Sequence, residues 1–107
     1  MPDTAVRESR ISGQPGSSEL YQNYPNPFNS ETVLRFDLAR GEQVDLSVYN
    51  LGGQRVTTLV SGPRAAGSYV VRWDGRDDDG SALASGIYLY RLELAHLVEV
   101  RKLLLLR

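Results

Sequence analysis

Apolar and polar residues alternate along most of the chain after Leu20, and Gly, Pro, Asn and Asp interrupt this alternation at short intervals. A period of two residues places successive side chains on opposite faces of a β-strand, and turn residues between such segments are typical of antiparallel sheets. We find no segment with the 3.6-residue period of a helix over the length of a normal helix. The pattern therefore predicts an all-β fold in which two antiparallel sheets pack as a β-sandwich.

The alternation also assigns a core side to each predicted strand. In the segment that begins at Val33, Arg35 and Asp37 face water, so the residues that alternate with them, Leu34, Phe36 and Leu38, belong to the core. Arg91 orients a later strand in the same way. With a short strand near Leu20, the strands number about seven, which favours an immunoglobulin-like antiparallel β-sandwich. The residues that we expect in the core are Leu34, Phe36, Leu46, Val48, Val71, Trp73, Tyr88, Tyr90 and Leu92.

The last predicted strand covers residues 98–106, and its apolar pattern is irregular. Arg101 and Lys102 are adjacent charged residues, which we interpret as a β-bulge. The leucines that follow are too apolar for a fully exposed edge, so part of this strand must pack. We expect it to end both the domain and the protein at Arg107, where its unpaired main-chain groups could pair with a receptor. The alternative is that this strand serves only the core.

The first part of the chain has a different composition. Residues 1–19 are rich in Ser, Gly, Pro and charged residues and contain few apolar ones. Such a segment buries too little apolar surface to offset the entropy lost on ordering. The sequence therefore predicts a flexible linker over residues 1–19 and one domain over residues 20–107.

Composition and charge exclude several classes of protein. The chain has 107 residues, of which 41% are apolar, so it can form one small core. The 12 basic and 13 acidic residues give a net charge of -1, which argues against nucleic-acid binding. Without cysteine, neither a disulfide nor a thiolate metal site can form. The N-terminal residues lack the apolar segment of a secretory signal, so we expect any such signal to lie upstream.

The aspartate-rich segment after Trp73 is the only candidate metal site. An EF-hand loop needs oxygen ligands at its first and twelfth positions and a glycine at the sixth. If Gly80 is placed sixth, the first and twelfth positions fall on Gly75 and Gly86, so the register fails. We expect turn residues and no metal, although a cation bound in another geometry stays open. The predicted turn residues are Asp77, Asp78 and Asp79.

Catalysis and sugar binding have little support. His96 is the only histidine and falls in a predicted turn, and no neighbouring carboxylate would orient it. We therefore expect neither an enzyme nor a bound cofactor. An exposed row of aromatic rings could bind carbohydrate, but most of the aromatic residues of this chain fall on predicted core faces. Tyr24 and Tyr49 are the better candidates for exposure, and Tyr88 is a candidate tyrosine corner.

Several short motifs occur in one order from Leu20 to Arg107. The first is LYQNYPNPFN, residues 20–29; WDGRD, SGIYLYRL and the final RKLLLLR follow. In this order the motifs resemble those of the C-terminal sorting domain of type IX secretion, a family related to the immunoglobulin-like domain of the flagellar hook-capping protein. The signature residues are Asn23, Pro25, Asn26, Pro27, Phe28, Asn29, Trp73, Asp74, Gly75, Gly86 and Tyr88.

The resemblance implies a non-catalytic sorting function. Such a domain directs an upstream cargo in the same chain through the outer-membrane translocon of a Gram-negative bacterium, and a sortase-like peptidase often removes it. We would then expect a monomer that reaches the cell surface or the medium through the periplasm. The alternatives are a structural spacer and an adhesive or carbohydrate-binding module of an extracellular protein. The residues proposed for translocon recognition are Arg101, Lys102, Leu103, Leu104, Leu105, Leu106 and Arg107.

Overall fold

A computed structural model describes residues 6–12 and 15–107, and the side chains of residues 8–10 and 15–107. The strands are β1 Val6–Ser12, β2 Glu19–Leu20, β3 Thr32–Leu38, β4 Glu42–Tyr49, β5 Arg55–Arg64, β6 Gly67–Trp73, β7 Gly86–Glu93 and β8 Val98–Leu105. They form two four-stranded antiparallel sheets with the strand orders β1-β6-β3-β2 and β5-β4-β7-β8. The predicted antiparallel β-sandwich is confirmed, with eight strands among the described residues rather than about seven.

The core lies between the sheets and is formed by alternate residues of the strands. All nine residues predicted for the core are buried. Eight of them, all except Tyr88, are fully inaccessible to solvent. Phe36 stacks on Tyr69 with ring centroids 5.1 Å apart. Two tyrosine hydroxyls donate to main-chain oxygens four residues upstream, Tyr88 to Ala84 and Tyr69 to Ala65. The predicted tyrosine corner is therefore present, and β6 carries an equivalent hydrogen bond.

The N-terminal segment differs from the predicted linker. Val6–Ser12 forms β1, which pairs with β6 from Trp73 to Ser68, and Glu19 already belongs to β2. Main-chain pairing at a sheet edge does not require apolar side chains, so composition alone missed this strand. The part of the linker prediction that concerns residues 1–5, 13 and 14 lies outside the described residues.

The last strand contains no β-bulge. β7 and β8 pair without a break from Glu93 and Val98 to Gly86 and Leu105. The alternation continues through the charged residues, because Arg101 lies on the same face as the buried leucines that follow it. The interpretation of a slipped register at Arg101 and Lys102 was therefore wrong.

Two charged residues of β8 bind the main chain of β2 instead. The carboxylate of Glu99 accepts a hydrogen bond of 2.7 Å from the N–H of Leu20, and Nε of Arg101 donates one of 2.9 Å to the C=O of Leu20. Glu99 and Arg101 thus satisfy the main-chain N–H and C=O of Leu20 in the other sheet, which explains why these charges are tolerated on the inner face of β8.

Candidate functional site

The loop between β2 and β3, residues 21–31, runs beside the outer edge of β8, and we name it the signature loop. Phe28 pairs with this edge as a parallel strand would: its N–H donates to the C=O of Leu104 at 3.0 Å, and its C=O accepts from the N–H of Leu106 at 2.8 Å. Asn26 Oδ1 accepts from the N–H of Leu104 at 2.9 Å, and Gln22 Nε2 donates to the C=O of Lys102 at 2.8 Å. The loop therefore completes the sheet beside residues 102–106.

This pairing restricts the strand-addition mechanism. β8 does lie at a sheet edge, as expected. Its second half is already hydrogen-bonded to the signature loop, so a receptor strand could not pair there without displacing the loop. Along the outer edge of the first half, the edge that faces away from β7, no strand among the described residues pairs with β8, and Val98 and Val100 are 55% and 51% exposed.

A buried hydrogen-bond network fixes the signature loop to the core. The hydroxyl of Tyr90 accepts from the N–H of Asn23 at 2.9 Å and donates to the C=O of Tyr21 at 2.8 Å. Asn23 Nδ2 donates to Thr32 Oγ1 at 3.0 Å, and this hydroxyl donates to the C=O of Pro25 at 2.9 Å. Burial raises the pKa of Tyr90 to about 12. These hydrogen bonds tie the loop at Tyr21, Asn23 and Pro25 to side chains of β7 and β3.

The two ends of the loop are held by side chains of different character. Phe28 is buried, and its ring centroid lies 5.7 Å from that of Trp73. The indole N–H of Trp73 donates to the C=O of Arg76 at 2.9 Å. At the other end, the hydroxyl of Tyr21 donates to the carboxylate of Asp37 at 2.6 Å, which raises the pKa of Tyr21 to about 12. Pro25, Pro27 and Asn29 remain exposed, and each proline follows a cis peptide bond.

Arg107 docks against the loop between β6 and β7, residues 74–85. Its guanidinium donates to the C=O of Gly75 at 2.6 Å and, through Nε, to the C=O of Leu83 at 2.8 Å. Its main-chain N–H donates to Ser85 Oγ at 2.8 Å. Gly75 has a φ of 76°, and a Cβ at this position would lie 2.7 Å from Nη2 of Arg107. The positive φ therefore favours a glycine here, and a Cβ at this position would also displace the guanidinium of Arg107.

The aspartates of the acidic loop are turn and anchoring residues, as predicted. Asp77 Oδ1 accepts from the N–H groups of Asp79 and Ser81 at 3.0 and 2.9 Å. Asp78 Oδ1 accepts from the hydroxyl of Thr57 at 2.7 Å. Among the described residues, no three acidic, histidine or cysteine side chains converge as a metal site would require. The absence of tight calcium binding stays a prediction.

The remaining candidates are one histidine and two tyrosines, none of which is a residue of β8. His96 is exposed in the turn between β7 and β8. Tyr24 is 79% exposed, whereas Tyr49 is half-buried, with the guanidinium groups of Arg55 and Arg91 at 5.7 and 5.1 Å from its ring centroid. No helix in the part of the chain that is described has the length and apolarity of a membrane span.

The structure brings most of the signature residues around the final strand. Asn26 and Phe28 bind its main chain, whereas Asp74 and Gly75 contact Arg107 and Gly86 pairs with Leu105. Sequence reasoning did not assign five further residues to this site: Glu99, Gln22, Tyr90, Leu83 and Ser85. The charge of Glu99 on a core face could have indicated its role.

The fold and the site define an immunoglobulin-like module in which the signature loop and the loop between β6 and β7 hold the final strand and Arg107. A family model described as the FlgD Ig-like domain matches residues 25–96. Because this match covers more than half of the chain, the chain belongs to the FlgD Ig-like domain family. No curated protein matches the chain.

Three solved structures have the same fold. Latent PorU from Porphyromonas gingivalis matches 83% of this chain with a TM-score of 0.66 and 19% identity. PorZ of the same organism, described as an essential surface component of its type IX secretion system, matches 82% with a TM-score of 0.58 and 18% identity. FlgD from Pseudomonas aeruginosa matches 96% with a TM-score of 0.50 and 20% identity. The matched regions span 9%, 11% and 74% of those three chains.

Proposed function

We propose that this domain is a non-catalytic sorting module that directs an attached cargo protein through the type IX outer-membrane translocon. The observation that supports this function best is the direct bonding between the signature residues and the final strand, through Asn26, Phe28 and Gly75. Residues that resemble a sorting signal thus form one continuous structural unit. The likeness to PorU and PorZ is consistent with such a role, although it shows only the fold.

A receptor would contact only part of the predicted recognition segment on the folded domain. Leu103 and Leu105 are buried, and the side chains of Arg101 and Arg107 donate to main-chain oxygens. Lys102 and Leu106 are exposed. Beside Leu106 lies a hollow of about 370 Å³, lined by Pro25, Pro27, Phe28, Asn29 and Leu106. We name this hollow, together with Lys102 and Leu106, the final-strand surface.

The test is an export assay in a bacterium that has the translocon. A periplasmic reporter is fused before the whole chain, and Leu106→Ser and Lys102→Glu alter the final-strand surface. We expect export to fall at least tenfold while the melting temperature stays within about 2 °C, because both side chains are exposed. The matched control is Leu51→Ser, since Leu51 is 66% exposed in a distant turn. Export of this control should equal that of the unaltered fusion.

A second variant separates a read terminus from a read surface. A flexible Gly/Ser tail appended after Arg107 leaves the packed residues unchanged. If the receptor needs a free end, export falls with the tail; if it reads only the final-strand surface, the tailed fusion is exported normally. Equal export of the reporter with and without the domain would contradict the sorting function.

The partners and the location follow from this proposal. They are an upstream cargo in the same chain, the translocon and a sortase-like peptidase, with a monomeric domain passing the periplasm to the medium or the cell surface. The segment that precedes the domain would be the site of cleavage. Mass spectrometry of the exported reporter would show whether cleavage occurs before Leu20.

The alternative is a structural spacer in a multidomain extracellular protein. Its support is the family itself, because the FlgD Ig-like domain is not defined by a sorting role and the structure of FlgD matches 96% of this chain. A carbohydrate-binding role is less well supported, since Trp73, Tyr88 and Tyr90 are buried and Tyr24 alone of the tyrosines is largely exposed. Loss of export with Leu106→Ser, but not with Leu51→Ser, would exclude the spacer.

A further inference from the structure

β1 is attached to the sandwich differently from the other strands. In an antiparallel pair, residues directly opposite each other point to the same face. Glu8 lies opposite Val71 and Arg10 opposite Tyr69, and both of these β6 residues are buried. Among the three β1 residues whose side chains are described, the two that face the core, Glu8 and Arg10, are therefore both charged. The buried apolar residues described in the core all come from residues 20–105.

One bidentate ion pair secures this strand. Arg64 of β5 donates through Nε and Nη2 to the two carboxylate oxygens of Glu8, at 2.7 and 2.9 Å. The two side chains are 28% and 22% exposed, so the pair is partly shielded from water. It joins the edge strand of one sheet to the edge strand of the other. Bidentate geometry makes such a pair stronger and more specific than an ordinary surface ion pair.

We propose that Val6–Ser12 is a reversibly docked strand, and that the outer edge of β6 with Arg64 is a strand-acceptor surface for an extended segment that carries a carboxylate. Its occupant is the chain's own N-terminal segment. Main-chain hydrogen bonds at an edge and this ion pair oppose the entropy of ordering seven residues, and none of the β1 side chains that are described adds a buried apolar group. Release would lengthen the tether by roughly 20 Å, at about 3.3 Å per residue.

The use of this tether rests on the proposed sorting function, whereas the docking itself does not. An upstream cargo would lie close to the sandwich while β1 is docked and farther away after release. A module that must enter a receptor beside a folded cargo would gain from this difference in reach. Hydrogen exchange tests the docking in the isolated chain, so its result is independent of any export assay.

The experiment compares hydrogen exchange in β1 and β7 of the full chain. We expect β1 of the unaltered protein to exchange faster than β7 but at least tenfold more slowly than unpaired residues. Arg64→Glu should speed exchange in β1 at least tenfold without changing β7, and Glu8→Arg combined with Arg64→Glu should restore it. Arg55→Glu is the matched control. Arg55 lies on β5, as Arg64 does, but it pairs with Asp45 of β4, so this substitution should leave exchange in β1 unchanged.

Three results would overturn the proposal. They are equal protection of β1 and β7, no protection of β1 in the unaltered protein, and faster exchange of β7 in Arg64→Glu.

The acceptor surface has its own test with a labelled peptide of residues 4–13. We expect it to bind the Glu8→Arg variant, in which the chain's own strand is released, at least tenfold more tightly than the Arg64→Glu variant. Equal binding to both variants would contradict an acceptor surface that depends on Arg64.

Discussion

The hydroxyl of Tyr90 joins the second sheet to the signature loop, and Tyr90→Phe removes it with almost no change in volume. The N–H of Asn23 and the C=O of Tyr21 then lose their partner together. Each buried main-chain group left unsatisfied costs about 1–3 kcal/mol. Tyr21 is only half-buried, so water can partly replace its bond. We therefore expect a loss of about 2–4 kcal/mol in the free energy of unfolding.

A loss of this size is a large fraction of the stability of a small domain, which is typically about 5–15 kcal/mol. It corresponds to a fall in melting temperature of roughly 10–20 °C. The assay is urea unfolding followed by circular dichroism and by the fluorescence of Trp73, and coincident curves would support a two-state transition. The slope of free energy against urea should not change, because the fold stays the same.

Tyr88→Phe is the matched control on the same strand. The hydroxyl of Tyr88 donates to one main-chain oxygen, that of Ala84, which lies in an exposed loop. Its removal should cost about 1 kcal/mol. If Tyr90→Phe costs no more than Tyr88→Phe, the reasoning that assigns the loop's attachment to the Tyr90 hydroxyl is refuted.

Further predictions concern the acidic loop and the ionisable groups. Gly75→Ala should cost about 1–3 kcal/mol because of its positive φ, and a double-mutant cycle with Arg107→Ala should show coupling from the close contact. Asp79→Ala should change stability by less than about 0.5 kcal/mol, and calorimetry should detect no tight calcium binding by the unaltered protein. The pKa values of Tyr21 and Tyr90 are raised to about 12, so the folded state keeps protons that the unfolded state loses above pH about 10. The contribution of these two tyrosines to stability should therefore be constant below pH about 10 and fall between about 10 and 12, measured as the urea midpoint over this range.

The core strands could be predicted from the sequence because their environment is local and regular. In β3 and β7, charged residues alternate with apolar ones, and the two faces of the sandwich impose the same period. Trp73 and Tyr90 could be assigned to the core for this reason. The acidic loop was also predictable, since an aspartate side chain stabilises a turn by accepting a hydrogen bond from the main-chain N–H two residues later, as Asp77 does from Asp79.

The remaining features depend on partners that are distant in sequence. Glu99 and Arg101 interrupt the apolar pattern because Leu20 presents its main chain to them across the sandwich. The pairing of β1 depends on the edge of β6 and on Arg64, neither of which can be inferred from the composition of residues 1–19. The signature loop could be recognised from its motif, but its pairing with β8 is a property of the tertiary structure.

The pairing between the signature loop and β8 also affects the order of folding during synthesis. Gln22 and Lys102 are 80 residues apart, and Asn26 and Leu104 are 78 apart. Contacts of such long range form late, because the intervening chain must first be brought together. The ribosome therefore completes almost the whole domain before the loop can find its partner. A chain that breaks off before residue 102 cannot form the hydrogen bonds from Gln22, Asn26 and Phe28 to this strand, so the loop would stay without its partner.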